Sequence, residues 1–206
     1  MNRRRFAVLA GVTLVAALAV VAFAFGQPGG SSDSTGVPAN LPDELTGPAP
    51  WPRNANLLGA RLAALGLPAL GAEGTALHIH QHLDIYVAGK HLVVPAGVGI
   101  DPDLRFISPL HTHDESGVMH VESPTVRKFT LGEFFGVWGV RLDASHLGGY
   151  AAGGGKELRA YVNGRRVDGD PGKIVLEPHQ EIVLAFGTAQ QLDRAFPASY
   201  AFPAGL

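Results

Sequence analysis

From Leu77 to Val87 the chain alternates. Ile79, Leu83, Ile85 and Val87 fall on one parity, and His78, His80, His82 and Asp84 on the other, with Gln81 the one exception. Successive strand side chains point to opposite faces, so this period predicts a half-buried strand with an apolar inner face. The period of two dominates beyond Gly74, punctuated by turn pairs at Ala88-Gly89, Asn163-Gly164 and Asp168-Gly169; Asn-Gly is a strong hairpin signal. A mainly β domain is therefore expected, as a β-sandwich or a barrel-like fold, with one or two short helices. The first helix is predicted where Leu57, Leu58, Leu62 and Leu65 recur at helical spacing, capped by Asn54 or Asn56 and ended by Gly66 and Pro68. For the second, Thr130 and Glu133 have capping-box spacing ahead of Phe134, Phe135, Val137 and Trp138. The apolar, proline-punctuated stretch from Arg194 to Pro203 is expected to run extended across the domain.

The pattern differs at the N-terminus. Phe6 to Gly26 carries no charge and, at about 1.5 Å per residue, is long enough for a helix to span a bilayer core. Arg3, Arg4 and Arg5 flank it and would stay in the cytoplasm, which places everything after Gly26 outside. Ala22-Phe23-Ala24 is a small-x-small cleavage motif, so secretion after signal cleavage is the alternative to a retained anchor. Residues 27–50, rich in Pro, Gly and Ser without hydrophobic period, read as a disordered linker. The expected organisation is an anchor or signal over 1–26, a linker over 27–50 and a single β-rich domain over 51–206.

Composition narrows the chemistry. The 206 residues carry 16 Lys+Arg against 18 Asp+Glu, which argues against a basic-patch nucleic-acid binder. The absence of cysteine excludes disulfides, Cys-based zinc fingers, iron–sulfur clusters, thiol nucleophiles and blue-copper centres. No G-x-S-x-G elbow, P-loop or dinucleotide fingerprint is present. Any metal must be held by nitrogen and oxygen.

Histidine supplies the nitrogen. Residues two apart on a strand stand roughly 6.5–7 Å apart at the backbone, close enough for both imidazoles to bend onto one ion. His78, His80 and His82 occupy one face of the first strand, and His111 and His113 repeat the spacing. Beyond a turn at Gly117, His120 shares a face with Glu122, and a hairpin would fold it back near His113. These six histidines are the predicted metal ligands, with Asp84, Asp114 or Glu122 as ligand or as partner of a distal ring N–H. His91, His146 and His179 fall at turns and loops and read as exposed.

All-imidazole or imidazole–carboxylate coordination suits Zn(II), Cu(II), Ni(II), Fe(II) or Mn(II), with Zn or Cu foremost. Met119 is the one methionine besides Met1, which disfavours a Met-rich copper carrier. Three functional classes remain open. The first is an extracytoplasmic, membrane-tethered metal-binding protein. The second is a metal-dependent enzyme using three of the histidines, with Glu122 or Asp84 as general base. The third is a cell-envelope interaction module without metal, whose histidine surface changes charge between about pH 5 and 8.

Two resemblances bear on this. Gly89 to Gly97 partly resembles the second motif of the cupins, small β-barrels that hold a metal with an H-x-H pair, a carboxylate and a later histidine; Ile100 stands where that motif has its ligand histidine. The strings HIHQHLDIYVAGK, ISPLHTHDESGVMHVESP and FTLGEFFGVWGVRL more closely resemble an uncharacterised family of exported, N-terminally anchored microbial proteins, over most of residues 57 to 188. That resemblance implies export and implies no reaction.

Overall fold

Strand β1 (Leu77–Val87) organises the fold, in a computed structural model that describes Met1 and residues 36–206. The expected membrane segment and residues 27–35 of the expected linker lie outside the described residues, among which no helix is long and apolar enough to cross a membrane. Turn Ala88-Gly89, with both φ angles positive, leads β1 into β2 (Lys90–Leu92). The two-stranded ribbon β3 (Ile100–Asp101) and β4 (Phe106–Ile107) follows, then β5 (Leu110–His111) and β6 (Val118–Ser123). A second ribbon pairs β7 (His146–Leu147) with β8 (Tyr150–Ala151). Strands β9 (Lys156–Val162), β10 (Arg165–Val167) and β11 (Glu181–Thr188) complete the set; Asn163-Gly164 makes the β9–β10 hairpin.

The main sheet is curled and seven-stranded, in the order β10-β9-β11-β1-β6-β5, with β2 paired to the end of β1. All of its pairings are antiparallel except β1 with β11. Its inner face carries Leu83, Ile85, Leu110, Met119, Val121, Ile182 and Leu184, all buried. Gln81 shares that face, wholly buried, with neither amide atom partnered among the described residues.

The second layer is helical. Helix α2 (Leu131–Trp138) begins at the expected capping box, where the Thr130 hydroxyl accepts from Glu133 N and Glu133 Oε2 accepts from Thr130 N. Seven of its eight residues are buried, and its aromatics supply the apolar cover that a facing sheet would give. The expected mainly β domain is present, as a curled mixed sheet and two small ribbons with a helical layer in place of a second facing sheet. Helix α1 (Leu58–Ala64) packs beside α2. Neither Asn54 nor Asn56 caps it: its N-cap is Leu57, at φ 50° and without a side-chain cap. A third helix, α3 (Ala189–Leu192), brings the number above the one or two expected.

Two terminal stretches cover the rest. Residues 36–50, assigned from sequence to the linker, lie against the domain: Leu41 is buried and Leu45 N donates to Gly139 O at 2.7 Å. The C-terminal stretch crosses the outer face of the sheet, with Phe196 against Tyr86 and Tyr161, Tyr200 stacked on His82, and Phe202 against His179. This cover leaves the other part of the outer face, on β1, β6 and β5, to the histidines.

Candidate metal centre

Strand pairing gathers the donors. Strand β6 lies between β1 and β5, with His120 opposite His80 on one side and His111 on the other, and Glu122 opposite His78. Because Met119 and Val121 face the core, His120 and Glu122 face outward with the β1 histidines. His113 enters from the turn after β5. That turn closes over β1 at Gly117, where φ is +88° and a Cβ would meet Leu83 O at 2.8 Å, so any side chain there would push the turn off the strand.

The ring nitrogens meet at coordination distances. His78 Nε2 lies 3.1 Å from His80 Nε2, and His111 Nε2 lies 3.2 Å from His113 Nε2. Glu122 Oε1 is 3.1 Å from His120 Nδ1 and 3.2 Å from His78 Nε2. With metal–nitrogen bonds of roughly 2.0–2.1 Å, two donors on a tetrahedral ion stand about 3.3–3.4 Å apart, close to all four spacings. Two four-residue groups have ligand atoms mutually within 4.8 Å: His78, His80, His120 and Glu122, and His111, His113, His120 and Glu122. Buried histidine–glutamate clusters able to hold a metal ion are therefore present.

The surroundings favour cation binding over protonation. His111 is fully buried and its Nδ1 donates to Ser108 O at 3.0 Å, which fixes the tautomer and leaves the Nε2 lone pair toward the cluster. Burial, then the His113 ring, pushes His111 down to about 4. Burial and the neighbouring imidazoles push His120 down to about 3. His80 is lowered by burial and by His78, His179 and His113. Glu122 is raised, by burial and then by Glu73, and its Oε2 is buried without a partner. These rings are neutral at pH 7, with lone pairs free.

A pH dependence follows for the metal-free protein. In the unfolded chain these histidines titrate near 6.5. The stability they contribute is complete above that value and is lost as the pH falls toward about 4 for His111 and about 3 for His120, because the unfolded state binds the extra protons. His82, whose folded pKa is raised, acts with opposite sign, its contribution being complete below 6.5 and lost as pH rises through the higher folded value. The urea midpoint in chelator is thus expected to fall between pH 6 and pH 5; a flat profile there would mean the rings are not held neutral.

Five of the six predicted ligands come together, and His82 does not. Its Nδ1 donates to Glu181 Oε2 at 2.7 Å and its Nε2 to Ser116 O at 2.8 Å, so both nitrogens carry protons and no lone pair remains. Burial opposes this charge, but the Glu181 hydrogen bond and charge, the Ser116 carbonyl and Asp84 outweigh it and raise the pKa. Although His82, Asp84 and Glu181 also form a compact group, it is an ion-paired cluster under Tyr200. Asp84, one candidate base, accepts from His91 Nε2 at 2.7 Å and sits with this cluster; His91 is exposed, as expected, and is its partner. Glu122, the other candidate base, stands among the ligands. His146 pairs with Asp143.

Three residues at these clusters are not among the expected site residues. Glu73 Oε1 reaches 3.4 Å from His113 Nε2 from a loop before β1. His179 donates its backbone N–H to His80 O and its Nε2–H to Leu206 O. Together with His78, His80, Pro178 and Leu206 it lines an open cleft of about 390 Å³ beside the cluster. Glu181 meets His82 only through the β1–β11 register. No family model, curated protein or solved structure matches the chain.

Proposed function

We propose that this chain is an extracytoplasmic, membrane-tethered metal-binding protein whose centre is built from His78, His80, His111, His113, His120 and Glu122. The observation that carries this reading is the grouping of five imidazoles around one buried carboxylate, each H-x-H pair and the His78–Glu122–His120 contacts lying at 3.1–3.2 Å. The donor set suits Zn(II) or Cu(II), and the affinity order of nitrogen sites favours Cu(II). Met119 adds no sulfur ligand, because it is buried on the opposite face. Export and tethering are supported by the basic flank and the apolar run from Phe6 to Gly26. Burial argues against a pH-responsive histidine surface, since His80, His111 and His120 are covered.

Elemental analysis of the full chain, prepared without a histidine tag or metal column, tests the centre. Retained Zn or Cu at one equivalent or more is expected. A variant with His78, His80, His111 and His113 all replaced by Ala is expected to lose it, and His82→Ala to keep it. Equal metal content in all three proteins would overturn the site. A second reading, a metal-dependent enzyme, is favoured by the half-exposed His113 edge of the cluster, which gives a small molecule access to it.

A further inference from the structure

The centre has a two-sided layout that a single ion does not account for. Donors on one ion with bonds of roughly 2.0–2.1 Å are no further apart than about 4.2 Å. The described clusters include none that unites His78 and His80 with His111 and His113 within 4.8 Å; each pair instead groups separately with His120 and Glu122. The sheet order explains the division, because β6 stands between β1 and β5 and keeps the two pairs on opposite flanks of its own side chains. The Glu122 carboxylate points one oxygen to each flank. Its Oε1 lies 3.2 Å from His78 Nε2 and its Oε2 lies 3.9 Å from His111 Nε2. That second oxygen is buried and has no hydrogen-bond partner among the described residues, a costly state for a carboxylate unless a cation meets it.

Resting on the metal-binding reading above, we propose that the centre holds two transition-metal ions bridged by Glu122. His78, His80, His120 and Oε1 hold the first, a closed four-donor ion. His120 falls to this side because its Nδ1 lies 3.1 Å from Oε1. His111, His113 and Oε2 hold the second, whose remaining position is left to an exchangeable ligand or to the half-exposed Glu73 carboxylate, 3.4 Å from His113 Nε2. The two ions are inequivalent: the closed one binds first and the open one second. Carboxylate-bridged pairs in two-metal sites stand about 3.5–4 Å apart, near enough for paired Cu(II) spins to interact.

The test is a Cu(II) titration of the metal-stripped full chain in detergent, followed by electron paramagnetic resonance. The first equivalent is expected to give an isolated Cu(II) signal; the second is expected to broaden or abolish it, with a half-field transition appearing. Variants His78→Ala/His80→Ala and His111→Ala/His113→Ala are each expected to bind one equivalent with an unbroadened signal. Saturation of the wild-type chain at one equivalent would overturn the pair and leave the metal-binding reading standing. Two equivalents without spin interaction would overturn the Glu122 bridge. No binding at all would overturn both readings. The wild-type titration decides the matter even where a double variant fails to fold.

Discussion

Chelation of the purified full chain is expected to lower its unfolding temperature by about 8–16 °C. An ion present at 1,000 times its dissociation constant stabilises the folded state by about 4 kcal/mol, and a domain of this size shifts by roughly 2–4 °C per kcal/mol. The linkage is strong here because the donors come from three separate strands, β1, β5 and β6, and the turn after β5, so the unfolded chain does not present them together. The buried Glu122 Oε2 also lacks a partner among the described residues, which a bound ion would supply. Thermal unfolding with and without chelator, followed by back-titration with Zn(II) or Cu(II), measures the effect. An unchanged unfolding temperature in all three conditions would show that no ion is linked to folding.

The second large effect is expected from Arg61→Ala. Arg61 is wholly buried in α1, and its guanidinium donates to the carbonyls of Val137, Pro42, Asn56 and Asn54. One side chain thereby joins the end of α2 to the segment before α1. Burial lowers its pKa, with Asp43 opposing the shift. Truncation leaves four carbonyls without their donors, at a cost of about 3 kcal/mol or more, since each buried acceptor left unpartnered costs about 1–3 kcal/mol. The urea midpoint should fall with an unchanged slope, and Arg61→Met, which restores bulk without donors, should recover little. A loss below about 1 kcal/mol would show that the carbonyls find water instead.

Arg61 also marks a limit of sequence reading. Arg61 and Leu62 follow Leu58 by three and four residues and lie on one helical stripe, yet a charged residue in that stripe reads as a boundary of the apolar face. Its burial depends on carbonyls supplied by Pro42 and Val137, which are remote in the chain. The capping box of α2, by contrast, was legible because Thr130 and Glu133 satisfy each other within one turn. The hairpin at Asn163-Gly164 was legible for the same reason, both residues adopting the positive φ that this pair tolerates.

The histidine centre divides along the same line. Alternation along β1 was enough to place His78 and His80 on one outward face, and the two-residue spacing was enough to make His111 and His113 a chelating pair. Parity is a property of the strand itself, set by backbone geometry from one residue to the next. It says which face a side chain takes and nothing of which strand lies alongside. His82 shares the parity of His78 and His80, but β11 runs parallel to β1 and sets Glu181 beside it across 99 residues of chain, turning a predicted ligand into an imidazolium. The place of Glu122 between the two histidine pairs follows from β6 pairing with β1 on one edge and β5 on the other. Strand neighbours are chosen by long-range packing of the inner face under α2. The sequence by itself therefore determined the kind of donors and the face they share; the tertiary structure decided which of them meet.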